Sequence, residues 1–299
     1  METTPFHSGF VTIIGEPNVG KSTLLNAFVG TKLAIVSPKP QTTRHRILGV
    51  KNLPNAQLIF LDTPGIHQPR TELSRYMMQA VTEALESPEV VLYMTDVTRE
   101  PQPDFDFLRR HLGARQVPVF WLLNKIDAIA AHEVLPLIAS CDDADFFAEV
   151  FPLSVHHGDN MPALLERILA RLPEGPRYFP EDMPTDRDER FLIAELIREQ
   201  VLYQAREEVP HAVAVVVEMM EERADGSVEI DACLYVERDS QKRILVGKQG
   251  QMIKTIGIQA RQAIGRMLRC PTHLRLLVRV NKRWKQREAA LRRLGFGDP

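Results

Sequence analysis

Residues 15–22 read GEPNVGKS and fit the pattern G-x-x-x-x-G-K-[ST] in full. A hydrophobic run, FVTIIG (10–15), comes before it, and a helix-like segment, KSTLLNAFVG (21–30), follows. In this context the glycines let the backbone approach phosphate groups, and N–H groups point inward at the positive end of the helix. The stretch therefore predicts a phosphate-binding loop in an α/β fold.

Two side chains in this loop carry the phosphate chemistry. Lys21 places a point charge on the β- and γ-phosphates, and the Ser22 hydroxyl is suited to ligate Mg²⁺. A glycine-rich turn without a ligand is the alternative, but the complete motif in its strand–helix context argues against it. The residues predicted here to bind the nucleotide are Gly15, Glu16, Pro17, Asn18, Val19, Gly20, Lys21, Ser22 and Thr23.

Two further motifs at strand ends select the nucleotide. LDTPG (61–65) offers Asp62 to Mg²⁺ through a water and the Gly65 N–H to a γ-phosphate. In NKID (124–127), Asp127 can accept from the N1–H and exocyclic amine of guanine, a donor pair that adenine lacks, while the Lys125 stem covers the base. Because ligands of open α/β sheets bind at the carboxyl ends of strands, these motifs predict a GTP site. Its further members are Asp62, Thr63, Pro64, Gly65, Ile66, Asn124, Lys125 and Asp127.

Apolar strand-like runs alternate with helical segments through the first half of the chain. The strand candidates are residues 10–15, 46–50, 57–62, 89–96, 117–124 and 149–155. This alternation is typical of a mostly parallel sheet with helices on both faces, in which 46–62 can form an antiparallel hairpin. We predict an α/β P-loop GTPase domain over residues 1–172 and a Pro- and acid-rich linker at 173–186.

Residues 187–299 have a different pattern, which predicts a smaller α+β domain. An amphipathic helix (188–206) comes first, and a helical region (241–268) lies further on. The strand candidates of this part are residues 211–220, 227–237 and 273–280. The order of elements is therefore helix, two strands, two helical segments and a strand, with a basic helix at the C-terminus.

The charge of the chain is distributed unevenly. Residues 238–293 contain 16 Lys or Arg and only two acids, a net charge of +14, whereas the whole chain carries −2. Such asymmetry favours a polyanionic partner for the C-terminal domain. A solvated basic face that binds nothing is the alternative, so a motif must decide between them.

A second Gly-Lys stretch, GKQG (247–250), lies inside this basic region. It has no Ser or Thr after its lysine and no glycine five residues before Gly247, so it does not fit a triphosphate loop. It fits the G-x-x-G loop of a KH domain, which clamps a short single strand of nucleic acid, although a plain helix–helix turn is the alternative. Val246, Ile253 and Ile256 are expected to line a groove for bases. The predicted RNA-binding residues are Val246, Gly247, Lys248, Gln249, Gly250 and Lys254.

The stretches GEPNVGKSTLLN, SPKPQTTRHRILGV, DTPGIH and NKID resemble, in this order, the Era family of bacterial P-loop GTPases, and the resemblance covers almost the full length. It implies that PQTTR (40–44) is a mobile switch in which Thr43, with Thr42 as a second candidate, completes the Mg²⁺ coordination when GTP is bound. The alternative for both threonines is that they have no role in metal binding and are present because β-branched residues favour the start of a strand. It also implies that SVHHG (154–158) contacts the guanine carbonyl through the backbone at Ser154 and Val155, where Val155 replaces the usual alanine.

The same resemblance assigns hydrolysis to Lys21, Thr43, Gly65 and Asn18. Ile66 stands where many GTPases carry a water-orienting glutamine, so slow intrinsic hydrolysis is expected, and the adjacent His67 is given no role. Asn18 has two interpretations: it helps to hold K⁺ against the phosphates, or it stabilises the loop turn. The expected cofactors are GTP or GDP, Mg²⁺ and, on the first interpretation, K⁺.

LYVERDSQKRILVGKQGQMIKTIG and LRRLGF resemble the type II KH domain with which Era-family chains end. The resemblance implies that the RNA ligand is the 3′ end of 16S ribosomal RNA and that the protein assists assembly of the small (30S) ribosomal subunit. The basic run NKRWKQR (281–287) suits RNA or anionic lipid equally, and the family is associated with the inner membrane surface. We expect a cytoplasmic monomer with peripheral contact to the inner membrane.

Three rival classes fit parts of the sequence. A GTPase of tRNA modification, or of another Era-like branch, is disfavoured by the KH-like tail. A P-loop kinase is disfavoured because it has no role for NKID. An RNA-binding scaffold with a vestigial nucleotide pocket would differ from a GTPase in showing no GTP turnover that depends on Lys21. No apolar run is long enough to span a bilayer, and the N-terminus lacks a signal-peptide pattern. The wide spacing of Cys141, Cys233 and Cys270 favours neither disulfides nor a zinc site.

Overall fold

The computed structural model describes residues 5–99, 105–113, 116–139, 146–205 and 208–297. They form two compact units. The first comprises residues up to Ala34, Thr43–His67 and Met77–Asp186. The second comprises Ile35–Thr42, Gln68–Tyr76 and the residues from Arg187 onward. Two short stretches from the first half of the sequence therefore pack with the C-terminal unit.

A six-stranded sheet forms the centre of the first unit. Its strand order is β2-β3-β1-β4-β5-β6, and only the β2–β3 pair is antiparallel. The strands are β1 His7–Gly15, β2 Ile47–Leu53, β3 Ala56–Asp62, β4 Val90–Asp96, β5 Val119–Asn124 and β6 Glu149–Leu153. The predicted α/β class is confirmed, and β2 and β3 are the predicted hairpin.

Helices cover both faces of this sheet. They are α1 Lys21–Val29, α2 Glu72–Glu83, α3 Asp106–Leu112, α4 Ala131–Ala139 and α5 Met161–Leu169. Leu24 of α1 and Ile168 of α5 pack in the core on one face, while Val81 of α2 and Leu108 of α3 pack in the core on the other. Because strands β3, β4 and β5 are buried on both sides, each contains an uninterrupted apolar run (58–61, 90–94 and 119–123) rather than an alternating pattern.

The segment predicted to be a linker, residues 173–186, packs with the first unit. Its backbone pairs with the sheet at Pro173 O, which accepts from Ser8 N (3.1 Å), and at Pro184 O, which accepts from Val50 N (2.8 Å). Gln57 fixes the middle of the segment, because its Oε1 accepts from the backbone N–H of Tyr178 at 2.8 Å. These bonds hold the segment against the sheet; where the domains divide functionally stays a prediction.

The second unit contains a three-stranded sheet of order β7-β8-β9, in which β7–β8 is antiparallel and β8–β9 is parallel. Its elements are α6 Glu189–Gln204, β7 Ala214–Glu222, β8 Val228–Val236, α7 Asp239–Val246, α8 Gln251–Leu268, β9 Thr272–Val280 and α9 Glu288–Arg293. The sequence α-β-β-α-α-β matches the predicted KH arrangement, and the predicted class of this domain is confirmed.

One groove assignment in this domain is wrong. Ile256 is fully buried and packs in the core with Ala260 and Ile264, its neighbours at four-residue spacing along α8. Such spacing places all three on one helix face, which here covers the sheet. Ile253 is partly buried against the same core. Of the three apolar residues expected in the groove, only Val246 lies next to the loop and outside this core.

In the part of the chain that the structure describes, no helix combines the length and apolar character that crossing a bilayer requires. Cys233 is buried and Cys270 is partly exposed, and both are free thiols. Cys141 lies outside the described residues.

Candidate nucleotide site and RNA-binding loop

The loop after β1 has a backbone geometry that requires glycine at two positions. Gly15 has φ +148° and Gly20 has φ +114°. A Cβ on Gly15 would lie 2.2 Å from Met94 O in β4, and one on Gly20 would lie 2.3 Å from Asn124 Nδ2 at the end of β5. Both glycines therefore allow the loop to pack against neighbouring strand ends.

Lys21 is buried inside this loop. Its Nζ donates to Gly15 O (2.9 Å) and Glu16 O (2.7 Å). Burial lowers the pKa of Lys21 to about 8, and the negative charges of Asp62 and Glu16 oppose that shift. The ammonium is thus held where the P-loop motif places the charge that contacts phosphate oxygens.

Three oxygen-bearing side chains from separate motifs meet beside Lys21. Ser22 Oγ donates to Asp62 Oδ2 at 2.6 Å and lies 2.8 Å from Thr43 Oγ1, which is 3.5 Å from the same carboxylate oxygen. Burial raises the pKa of Asp62 to about 6, although Lys21 and the two hydroxyls favour its charged form. Asp62 Oδ1 is buried without a hydrogen-bond partner among the described residues. This donor set of two hydroxyls and one under-satisfied carboxylate fits a hard cation such as Mg²⁺.

The structure separates the two switch threonines. Thr42 Oγ1 donates to Lys39 O at 2.6 Å, within its own segment, and does not join the cluster of Ser22 and Asp62. Thr43 is therefore the threonine that the structure brings to the candidate metal site, and Thr42 is not.

The DTPG segment is tied directly to the phosphate-binding loop. Ile66 N donates to Gly15 O at 3.1 Å, and a Cβ on Gly65 would lie 2.6 Å from Pro17 N. Thr63 Oγ1 donates to Ile13 O at 2.8 Å. His67 Nδ1 lies 2.8 Å from Gly65 O and fixes the turn that follows. Because Ile66 packs its side chain against the core, it presents no polar group to a water.

Asn124 connects the guanine motifs to the loop. Its Nδ2 donates to Val19 O at 2.7 Å, and its Oδ1 accepts from Val155 N at 3.2 Å. The Val155 N–H is thus directed at Asn124, and the implied backbone contact to guanine stays a prediction.

Asp127 lies in a short 3₁₀ turn, Ile126–Ala128, with its side chain about one-third exposed. A hydrogen bond with Ser154 holds the pKa of this carboxyl below its usual range. His157 Nε2 lies 3.8 Å from Asp127 Oδ2. The carboxylate is charged and accessible, as a reader of two guanine donors must be.

Two residues at this site were missed by the sequence reasoning. Asp96, at the end of β4, pairs with Lys125, and Arg99 donates to Pro17 O at 2.7 Å. Asp96 follows an apolar strand just as Asp62 does, and that position is the one signal that could have found it.

The GKQG loop connects α7 and α8. Gly247 (φ +74°) leaves no room for a side chain, since a Cβ there would lie 2.7 Å from Met252 Cβ. Gln249 also has positive φ, at 52°, and both Lys248 and Gln249 are exposed. The loop therefore presents backbone and a lysine to solvent, and Lys254 is exposed one turn into α8.

The basic residues of the KH domain differ in whether an acidic side chain neutralises them. On the sheet, arginines are neutralised: Arg275 pairs with Asp231, and Arg279 with Glu218. Six basic residues on α7, the loop and α8 are exposed and have no acidic partner within the described parts of the chain: Lys242, Arg243, Lys248, Lys254, Arg261 and Arg266. The G-x-x-G loop thus lies among cations that are available to a polyanion, and Lys282 and Arg283 are further exposed cations outside this group.

The chain matches two known families. Residues 10–125 match the family described as 50S ribosome-binding GTPase, and residues 208–285 match the KH domain. The GTPase Era of Lacticaseibacillus paracasei is 47% identical over 290 residues, 97% of each chain. The GTPase Era of Geobacter metallireducens is 46% identical over 297 residues, 99% of this chain and 100% of that one.

Two solved structures match the whole fold. A crystal structure of Era in complex with MgGDPNP and nucleotides 1506–1542 of 16S ribosomal RNA has a TM-score of 0.94 and 41% identity, covering 98% of this chain and 100% of that one. A variant of Aquifex aeolicus Era bound to GDP·AlF₄⁻ has a TM-score of 0.93 and 40% identity, with the same coverage.

The fold and the site define a P-loop GTPase that carries a C-terminal KH domain. With such identity over nearly its whole length, the chain belongs to the Era family of GTPases. It binds guanine nucleotides and hydrolyses GTP to GDP and phosphate. The predicted family, fold and enzymatic activity are confirmed, and the rival classes are set aside; the roles of individual residues stay predictions.

Proposed function

We propose that this chain is a Mg²⁺-dependent GTP switch that binds the 3′ end of 16S ribosomal RNA and assists maturation of the small ribosomal subunit. One observation carries the proposal: a guanine-nucleotide site and a G-x-x-G loop ringed by basic residues without acidic partners in the described parts of the chain occur in the same protein. The similarity to an Era structure that holds MgGDPNP and a 16S ribosomal RNA segment supports it.

Hydrolysis in this proposal depends on positioning and charge. Ser22, Thr43 and Asp62 would hold Mg²⁺, which when bound neutralises charge on the β- and γ-phosphate oxygens. Lys21 adds a second positive charge on the same oxygens, and the Gly65 N–H orients the γ-phosphate. Because Ile66 cannot orient a water, no side chain at that position accelerates the attack, and a slow intrinsic rate follows.

Asn18 is the residue through which K⁺ would act. Its φ of 67° places it in the left-handed region, which asparagine tolerates better than most residues. That backbone conformation favours an asparagine even without an ion, and the K⁺ contribution is proposed on the family resemblance.

The switch segment offers a route from nucleotide state to the KH domain. Residues 35–42 pack with the second unit: Glu199 Oε1 on α6 accepts from Val36 N at 3.0 Å, and the buried Arg198 donates to Thr42 O. The next residue, Thr43, bonds to Ser22. A rearrangement of Thr43 on loss of the γ-phosphate would therefore displace the adjoining residues 35–42, which are hydrogen-bonded to α6.

We also propose that the protein is a cytoplasmic monomer that contacts the inner membrane surface peripherally. The basic run at 281–287 supports the membrane contact, since anionic headgroups attract such segments. Sedimentation with phosphatidylglycerol vesicles, compared with neutral phosphatidylcholine vesicles, tests it; equal recovery with both would contradict an electrostatic contact.

RNA binding in two nucleotide states tests the central proposal. A labelled RNA with the 3′-terminal sequence of 16S ribosomal RNA should bind more tightly than a scrambled RNA of equal length, and its affinity should differ between the GDPNP-bound and GDP-bound protein. Equal affinity for both RNAs would reject the ligand, and equal affinity in both states would reject the coupling. GTP turnover that persists in Lys21→Ala would reject the assigned site.

A further inference from the structure

Three consecutive carbonyl groups of the phosphate-binding loop are each held by a side chain from a neighbouring strand end. The bonds are Arg99 Nη1 to Pro17 O (2.7 Å), Lys125 Nζ to Asn18 O (3.3 Å) and Asn124 Nδ2 to Val19 O (2.7 Å). In a trans peptide the C=O and the following N–H point in opposite directions. Donors on the carbonyl side therefore leave the N–H groups of Asn18, Val19 and Gly20 facing the other way, as a phosphate cradle requires.

Two of these three donors share one carboxylate. Asp96 Oδ2 lies 2.5 Å from Lys125 Nζ and 3.3 Å from Arg99 Nε. The other oxygen, Oδ1, accepts from Thr98 N (3.0 Å) and Thr98 Oγ1 (2.6 Å), which fixes the orientation of the carboxyl group. The Asp96 side chain is 2% exposed, whereas those of Arg99 and Lys125 are about 40% exposed.

The environment keeps Asp96 charged. Burial disfavours the carboxylate, but hydrogen bonds from Lys125 and Thr98 outweigh it and hold its pKa below the usual range. A buried anion with two long, half-exposed cations fixes side chains that would otherwise sample many rotamers. Lys125 and Arg99 are thereby pre-oriented towards the loop carbonyls.

We propose that Asp96 is a positioning residue for nucleotide binding: through Lys125 and Arg99 it orients the peptide groups of Pro17 and Asn18 so that the loop N–H groups face the phosphates. Asp96 itself touches neither base nor phosphate in this role. The assignment goes beyond the sequence motifs, none of which includes Asp96 or Arg99. It concerns nucleotide affinity alone, so its test is independent of the RNA ligand.

Asp96→Asn is the principal variant, because it keeps an acceptor for Thr98 and removes the charge that holds the two cations. The dissociation rate of fluorescent mant-GDP should rise about tenfold or more, as expected for loss of charge-assisted hydrogen bonds. Mant-IDP, which lacks the exocyclic amine that Asp127 reads, should dissociate faster by the same factor. A factor confined to mant-GDP would show that Asp96 acts on base recognition instead.

Glu149→Gln is the matched control, because Glu149 also holds two arginines, Arg167 (2.8 Å) and Arg171 (3.3 Å), elsewhere in the same unit. Its mant-GDP dissociation should stay at the wild-type rate. If Asp96→Asn and Glu149→Gln accelerated mant-GDP dissociation equally, the effect of Asp96 would be explained by general destabilisation, and the proposal would be overturned.

Arg99→Gln keeps the proposal testable if Asp96→Asn does not fold, since Arg99 is exposed and its loss creates no cavity. It should accelerate mant-GDP release several-fold, and an unchanged rate would overturn the proposal. Where both variants fold, each single variant gives a factor by which mant-GDP dissociation accelerates over the wild type. The double variant should release mant-GDP more slowly than the product of these two factors predicts, because both substitutions remove the same chain of contacts. A double variant whose acceleration equals that product would also overturn the proposal.

Discussion

The Thr43 hydroxyl lies 2.8 Å from the Ser22 hydroxyl, although the two residues are 21 positions apart. Both hydroxyls lie within hydrogen-bond reach of one oxygen of the buried Asp62 carboxylate. The phosphate-binding loop, the switch segment and the DTPG motif therefore converge on one point, which is where the proposed Mg²⁺ ion would sit.

Replacing Thr43 by valine keeps the shape of the side chain and removes this oxygen. We expect the Mg²⁺ concentration needed for half-maximal GTP hydrolysis to rise by about tenfold or more, since even indirect partners of a metal contribute that much. Phosphate release measured over a MgCl₂ series checks this.

Thr42→Val is the matched control for that measurement. Its hydroxyl bonds to Lys39 O and not to the cluster, so its Mg²⁺ dependence should match the wild type. Equal shifts in the two variants would contradict the assignment of Thr43 to the metal site.

Asp62 predicts a pH dependence of stability in the nucleotide-free, EDTA-treated protein. Burial raises its pKa from 3.8 to about 6, so between these values the folded state binds more protons than the unfolded state. The contribution of Asp62 to stability is therefore fully present below about pH 4 and is lost as the pH rises through about 6. Asp62→Asn, which has no charge to bury, should gain thermal stability relative to the wild type over this window. If the wild type instead became more stable relative to Asp62→Asn as the pH rises, the predicted direction of the pKa shift would be contradicted.

The role of Asn18 is settled by a glycine at this position. Asn18→Gly accepts the left-handed backbone but removes the side-chain amide. If the amide helps to hold K⁺, the variant should lose the stimulation of turnover by KCl over NaCl at matched ionic strength. Stimulation retained in the variant, or absent from the wild type, would leave Asn18 as a turn residue only.

The loop lysines should determine the salt dependence of RNA binding. In Lys248→Ala/Lys254→Ala, the slope of log affinity against log salt should fall by about 1.4, the value expected for two lost contacts to single-stranded phosphates. Arg275→Ala/Arg292→Ala removes the same charge from residues already paired with Asp231 and Glu288, and its slope should change much less. Equal changes would mean that only net charge matters.

The fold was predictable because its determinants are local. The motif at 15–22 needs only its neighbouring strand and helix, and the apolar runs of β1, β4 and β5 indicate a sheet covered on both faces. The G-x-x-G loop is a weak signal alone and was recognisable from the surrounding positive charge, the order of elements and the family resemblance. Ile256 was misplaced because an apolar residue beside a loop has the same sequence pattern in a groove as in a core.

The sequence by itself determined the P-loop and the nucleotide, because both depend on residue types at fixed short spacing. It determined the KH class through the order of elements, the local positive charge and the family resemblance. The family resemblance favoured Thr43 over Thr42, and the tertiary structure showed that Thr43 alone of the two reaches Ser22. Only the tertiary structure showed which arginines are neutralised on the sheet. It alone brought Arg99 to Pro17, across 82 positions, and joined both Arg99 and Lys125 to Asp96. The physical reason is that pairing between long side chains depends on where strand ends meet, and no local pattern records that meeting.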